Sequence, residues 1–144
     1  MTTSFGERHV DALKTGTAFS RTLNVDRART IDFLGEALRI YATPELVRDI
    51  EQTCLDHLQA FLGEGESSVG TEVSIAHTGA TPLGGDVRID AEITAIDGRS
   101  VTFRVSAADR VETICTGTHK RFVVDIGKLA ARVQKKTDAV RAAA

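Results

Sequence analysis

Hydrophobic and polar positions follow two periods along this 144-residue chain, and the switches between them mark its elements. Residues 17–25 set Phe19, Arg21, Leu23 and Val25 against Ala18, Ser20, Thr22 and Asn24, a weak alternation that predicts a strand with one apolar face. Residues 26–42 have no clean period and an internal Gly35, which predicts a loop or a short helical cover. A helical period then takes over. Thr43-Pro44-Glu45 opens it: Thr can cap, Pro fits the first turn where its missing N–H costs nothing, and Glu suits the positive helix end. Gly63 and Gly65 close it. At about 100° per residue, Leu46, Val47, Ile50, Cys54, Leu55, Leu58, Phe61 and Leu62 share one arc, while Glu45, Arg48, Asp49, Gln52, Asp56 and Gln59 share the other.

Period 2 returns and lasts almost to the end. Residues 71–78 place Val73, Ile75 and His77 on one face, and after the turn TPLGG residues 86–96 oppose Val87, Ile89, Ala91, Ile93 and Ala95 to Arg88, Asp90, Glu92 and Thr94. Asp97-Gly98 is a hairpin signal leading to Val101, Phe103, Val105 and Ala107, and Asp109-Arg110 turns into a last strand over 112–125. Residues 128–140 predict a terminal helix carrying Lys128, Arg132, Lys135 and Lys136. An antiparallel sheet with one packed face and a single strongly amphipathic helix to cover it predicts an α+β hot-dog fold, a curved five-stranded sheet wrapped around one long helix. One helix does not cover the apolar face of five strands, so a second copy is expected to pair with the first.

Composition narrows the function classes. The length fits one domain over 1–144, with residues 1–14 and 138–144 expected to be loosely ordered. A net charge of −2 argues against a nucleic-acid partner held by broad phosphate neutralisation. No stretch approaches the roughly 18 apolar residues of a membrane span, and the opening MTTSFGERHV has no apolar run of a secretory signal. Two cysteines, Cys54 and Cys115, are too few for a disulfide scaffold and fit a cytoplasmic protein.

Three polar residues stand in apolar or helix-end places. Glu51 falls at about 140° from Leu46 on the wheel, between Leu58 and Leu62. Its carboxylate is either at the margin of the arc, reaching water, or paired, hydrogen-bonded or neutral. His77 continues the Val73 and Ile75 face; it is either a satisfied core histidine or, with Glu51, part of a proton-transfer pair in a partly dry site. Thr43 is explained by capping alone, yet its place beside free backbone N–H groups also favours negative charge. Cys54 with His57, and Cys115 with His119, fall short of the three or four ligands a zinc site needs, so no metal is expected. Cys54 lies mid-arc and is most simply core, and only His119 supports Cys115 as a nucleophile. The sequence has no phosphate-binding glycine loop and no nucleophile elbow. The basic terminal helix reads as a solvated face, with phosphate contact as the lesser alternative.

Longer segments carry a resemblance. Ala42-Thr43, Glu51, residues 63–67 (GEGES), Gly70-Thr71, residues 77–82 (HTGATP), Gly98-Arg99, residues 104–107 (RVSA), residues 117–121 (GTHKR) and residues 133–137 (VQKKT) resemble the fluoroacetyl-CoA thioesterase family of hot-dog proteins, from about residue 40 to 137 with nearly gap-free spacing. The resemblance implies a homodimer, or a higher assembly built on it, that hydrolyses acyl-CoA thioesters with no metal or organic cofactor, coenzyme A entering as part of the substrate. It puts the family's functional threonine, glutamate and histidine on Thr43, Glu51 and His77, and the acyl end of the pocket beside Gly70 and Arg121. Before residue 40 the chain departs from the family. Residues 26–40 are shorter and the family's Pro-rich, Phe-bearing lid is not placed within them, so the substrate expected is a small acyl-CoA, with a fluoroacetyl-CoA-like short acyl group among the candidates. The rival readings are a non-catalytic acyl-CoA-binding or sensing module on the same fold, and a hot-dog hydratase, which needs a different acid–base arrangement.

Overall fold

A computed structural model describes residues 13–143. In chain order the elements are β1 (Ala18–Asn24), two single turns of 3₁₀ helix (Arg27–Arg29 and Glu36–Leu38), α1 (Thr43–Gln59), β2 (Glu66–His77), β3 (Asp86–Asp97), β4 (Ser100–Ala108), β5 (Thr113–Asp125) and α2 (Ile126–Ala143). The strands form one antiparallel sheet in the order β1-β3-β4-β5-β2, curled around α1. This is the expected hot-dog fold. Leu46, Ile50, Cys54 and Leu58 of α1 are buried in one cluster with Val87, Ile89, Ile93, Val101 and Phe103 of the sheet. Each fully buried Leu or Ile contributes about 1.5–3 kcal/mol of transfer free energy, so packing, more than helix propensity, holds α1 in place.

The departures from the sequence pattern have local causes. A bulge between Gly70 and Glu72 reverses the alternation of β2. Glu66, Ser68 and Gly70 before it face inward, as do Val73, Ile75 and His77 after it, opposite His119, Gly117 and Cys115 of β5. The strand therefore starts at Glu66, five residues before the expected 71, because a polar inner face and a parity change hide its first half. A second bulge, between Ile93 and Ala95, turns Ala95 out to solvent and brings Ile96 against the core in its place. Helix α1 ends at Gln59 rather than near Gly63, with Phe61 and Leu62 continuing as tight turns bonded back to Leu58 and Gln59. Helix α2 continues through 138–143, which were expected to be loose. Of the similarly expected residues 1–14, residues 1–12 lie outside the described region, while Leu13 is buried in the core. No helix among the described residues is long and apolar enough to cross a membrane.

Two features position the site. First, β2 is a sheet edge of 12 residues, most of them exposed from Val69 onward. Second, the segment before α1 is clipped onto the helix. Arg29 Nε and Nη2 donate to the two carboxylate oxygens of Asp49 at 2.9 and 3.2 Å, and the buried Tyr41 hydroxyl donates to the same carboxylate at 2.5 Å. Burial and the Asp49 carboxylate both push the Tyr41 phenol up, so it stays protonated and keeps donating. Phe33 in the same segment is 74% exposed, with Leu34 and Leu38 beside it also outward.

Candidate active site

The sequence-selected residues gather into two groups along the seam between α1 and β2. At the N-terminal end of α1, Thr43 Oγ1 lies 2.7 Å from His77 Nδ1. Ala42 is the residue at the N-cap position, and no side chain caps the helix. Thr43 is thus one residue too far along to cap, and the expected capping role is replaced by the bond to His77. The His77 ring also meets the Tyr41 ring edge-on, at 6.3 Å between centroids. Among the described residues its Nε2 is shielded from solvent and has no hydrogen-bond partner. Burial lowers the His77 pKa from its ordinary 6.5, opposed by the backbone at Gly79, so the imidazole is neutral at neutral pH.

The second group lies eight residues further along α1, about 12 Å at 1.5 Å per residue. Glu51 stands with Val47 and Leu55 on the margin of the apolar arc, where α1 leaves the sheet and lines an open cleft with Pro44, Arg48 and Arg121. Its side chain is 42% exposed, and one carboxylate oxygen lies 3.6 Å from Arg121 Nη1. Both wheel-based alternatives hold in part: the carboxylate reaches water and is loosely paired. Arg121 is itself only 4% exposed. Its Nε donates to Ser68 Oγ at 2.7 Å and its Nη2 to the Ser68 carbonyl at 2.8 Å. Gly70 closes the group. A Cβ there would overlap Glu51 Oε1 and stand 3.2 Å from His119 Cε1 and 3.4 Å from Arg121 Nη1, so the absence of a side chain is what lets these residues converge.

Sequence reasoning missed Ser68 and the part played by His119. Ser68 sits in the half of β2 hidden by the bulge, whereas His119 was considered only as a partner for Cys115. That pairing does not form: His119 lies at 3.1 Å from Arg121 Nη1, and Cys115 sits opposite His77 in the β2–β5 register. Burial pushes the Cys54 thiol up to about 12 and raises that of Cys115, so neither is a thiolate nucleophile at neutral pH. Among the described residues no cluster of three or more His, Cys, Asp or Glu side chains is placed to hold a metal ion.

A family model described as fluoroacetyl-CoA-specific thioesterase, FlK, matches residues 25–126, which include every residue of both groups. The fluoroacetyl-CoA thioesterase of Streptantibioticus cattleyicolor is 35% identical over 136 residues, covering 90% of this chain and 98% of that protein. The chain belongs to the fluoroacetyl-CoA-specific thioesterase family. A solved structure of the fluoroacetyl-CoA thioesterase FlK overlays with a TM-score of 0.79 at 33% identity, over 86% of this chain and 97% of that one. The hot-dog-like protein of Thermanaerovibrio acidaminovorans overlays at 0.81 with 24% identity, over 88% of this chain and 94% of that one, and at that distance it shares the fold. As a member of this family the chain is a thioesterase.

Proposed function

We propose that this thioesterase works as a homodimer on small acyl-CoAs, with Glu51, His77 and Thr43 as its catalytic residues and Gly70 and Arg121 beside the acyl group. The observation that carries the reading is the division of the chemistry into two half-sites on one seam. Among the described residues His77 has a shielded, unpartnered nitrogen at the Thr43 end, and Glu51, about 12 Å of helix rise beyond Thr43, has a half-exposed carboxylate at the other. A two-fold axis near the middle of β2 would reverse one copy against the other. The His77 end of one β2 then lies beside the Gly70 end of its partner, so each complete site draws Glu51 from one protomer and the Thr43–His77 pair from the other. The same contact covers the long unpaired edge of β2, which otherwise invites unspecific strand addition. Free, buried cysteines fit a reducing, cytoplasmic location.

In the reaction, the oxygen of water ends on the acyl carbon and the carbon–sulfur bond breaks. Glu51 either takes the proton of the attacking water or attacks the carbonyl itself, giving an anhydride that water then cleaves. Where Glu51 acts as base, His77, neutral at rest, passes the proton released by water to the departing sulfur; where Glu51 attacks directly, the sulfur leaves as thiolate and the proton released by water in the second step neutralises it. Thr43 and the backbone N–H groups at the start of α1 polarise the carbonyl where negative charge develops. The chemistry uses side chains, backbone and water, and coenzyme A enters only as part of the substrate.

Release of free thiol from a panel of acetyl-, propionyl- and fluoroacetyl-CoA tests the reading. Turnover on at least one supports it; thermal stabilisation by all three without thiol release identifies a binding module instead. Gly70→Ala is expected to keep a near-native melting temperature while lowering kcat by about 10²-fold, because the new methyl displaces the Glu51 carboxylate. Wild-type protein should sediment at twice the chain mass. Ser74→Lys, which sets like charges against each other near the axis, should shift it to monomer and abolish turnover together. A wild-type monomer with full activity contradicts the dimeric site.

A further inference from the structure

His119 is 1% exposed and uses both ring nitrogens. Its Nδ1 lies 2.9 Å from the carbonyl oxygen of Glu72, just past the β2 bulge, and its Nε2 lies 3.1 Å from Arg121 Nη1. A carbonyl only accepts and a guanidinium only donates. These partners therefore fix the proton on Nδ1 and leave Nε2 as a neutral acceptor. The ring stacks on Phe103, itself fully buried, at 6.1 Å between centroids, and abuts the empty side of Gly70.

From this geometry we infer that His119 is a positioning residue for the thioesterase, one that fixes the guanidinium of Arg121 toward Glu51 and the acyl site; the inference rests on the catalytic reading above. Ser68 holds Arg121 by Nε and Nη2. The remaining corner, Nη1, is the one that faces Glu51, and His119 is what holds it. A neutral acceptor suits this task. A carboxylate at residue 119 would neutralise Arg121 and compete with Glu51, which among the described residues is the one carboxylate within ion-pair distance of that guanidinium. Water in the same place would leave Nη1 free to turn. The bulge belongs to the same device, since it presents the Glu72 carbonyl that orients the ring.

Long-range ¹H–¹⁵N spectra of the wild-type protein labelled at histidine give the first test, which needs neither turnover nor a variant. His119 is expected as the neutral Nδ1–H tautomer at pH 7, with an Nε2 resonance that moves in Arg121→Met. An Nε2–H tautomer, or no movement, overturns the inference. Kinetics give the second. His119→Asn, which keeps only the reach toward Glu72, should lower kcat about 10–100-fold with little change in KM. His119→Gln, whose carbonyl reaches Nη1, should recover most of the loss, and His119→Asn should add nothing in the Arg121→Met background. Equal loss in the Asn and Gln variants, or none in either while the wild type turns over, overturns the positioning role. Absence of thiol release by the wild type instead counts against the thioesterase reading and leaves the tautomer to decide what holds Arg121.

Discussion

Glu51→Gln should lower kcat by about 10²–10⁴-fold, the usual range for loss of a positioned base, with no loss of fold. The side chain is 42% exposed and touches the rest of the protein chiefly through a 3.6 Å approach to Arg121. The carboxylate is half exposed and its approach to the buried Arg121 is long, so the pair adds little to stability, and Gln keeps the shape between Val47 and Leu55. Arg121 retains Ser68 and His119 as acceptors, so its N–H groups stay satisfied, while its buried charge loses its nearby carboxylate and the melting temperature is expected to fall modestly. Steady-state thiol release, with a melting curve on the same sample, checks both halves of the expectation. Near-wild-type turnover by Glu51→Gln would remove Glu51 from the chemistry.

His77→Ala is the second large effect, again about 10²–10⁴-fold in kcat. The loss arises at the other half-site, where Thr43 Oγ1 is left without its partner and the shielded Nε2 disappears. Tyr41 stays in place through Asp49, so the segment before α1 remains clipped and the fold should survive with a melting temperature lowered by a few degrees. A variant that keeps wild-type kcat would show that His77 is a satisfied core histidine and no more.

The fold was largely legible from period alone, because α1 carries six residues of the apolar arc and the later strands alternate on a half-buried sheet. Alternation failed where the backbone bulges. At Gly70–Glu72 and Ile93–Ala95 one extra residue reverses the facing, which no count of twos anticipates, and so the first half of β2 and the orientation of Ala95 were misread. Glu51 and His77 were visible as ionisable groups on apolar faces. Arg121 was legible through the family resemblance, although it shares an inner face of β5 with Cys115, His119 and Val123 that alternation also offers. Contacts between elements, such as His119 with Arg121 or Tyr41 with Asp49, depend on sheet register and on the crossing of α1, and no local pattern records them.

In the proposed mechanism the half-sites make the dimer the unit of catalysis, and one measurement addresses that proposal directly. Glu51→Gln and His77→Ala chains, co-expressed with different tags and purified as the mixed dimer, place both substitutions in one composite site and leave the other intact. Thiol release at about half the wild-type rate per dimer is the expected result, from two variants that are each inactive alone. No recovery in the mixed dimer would contradict a site shared between protomers.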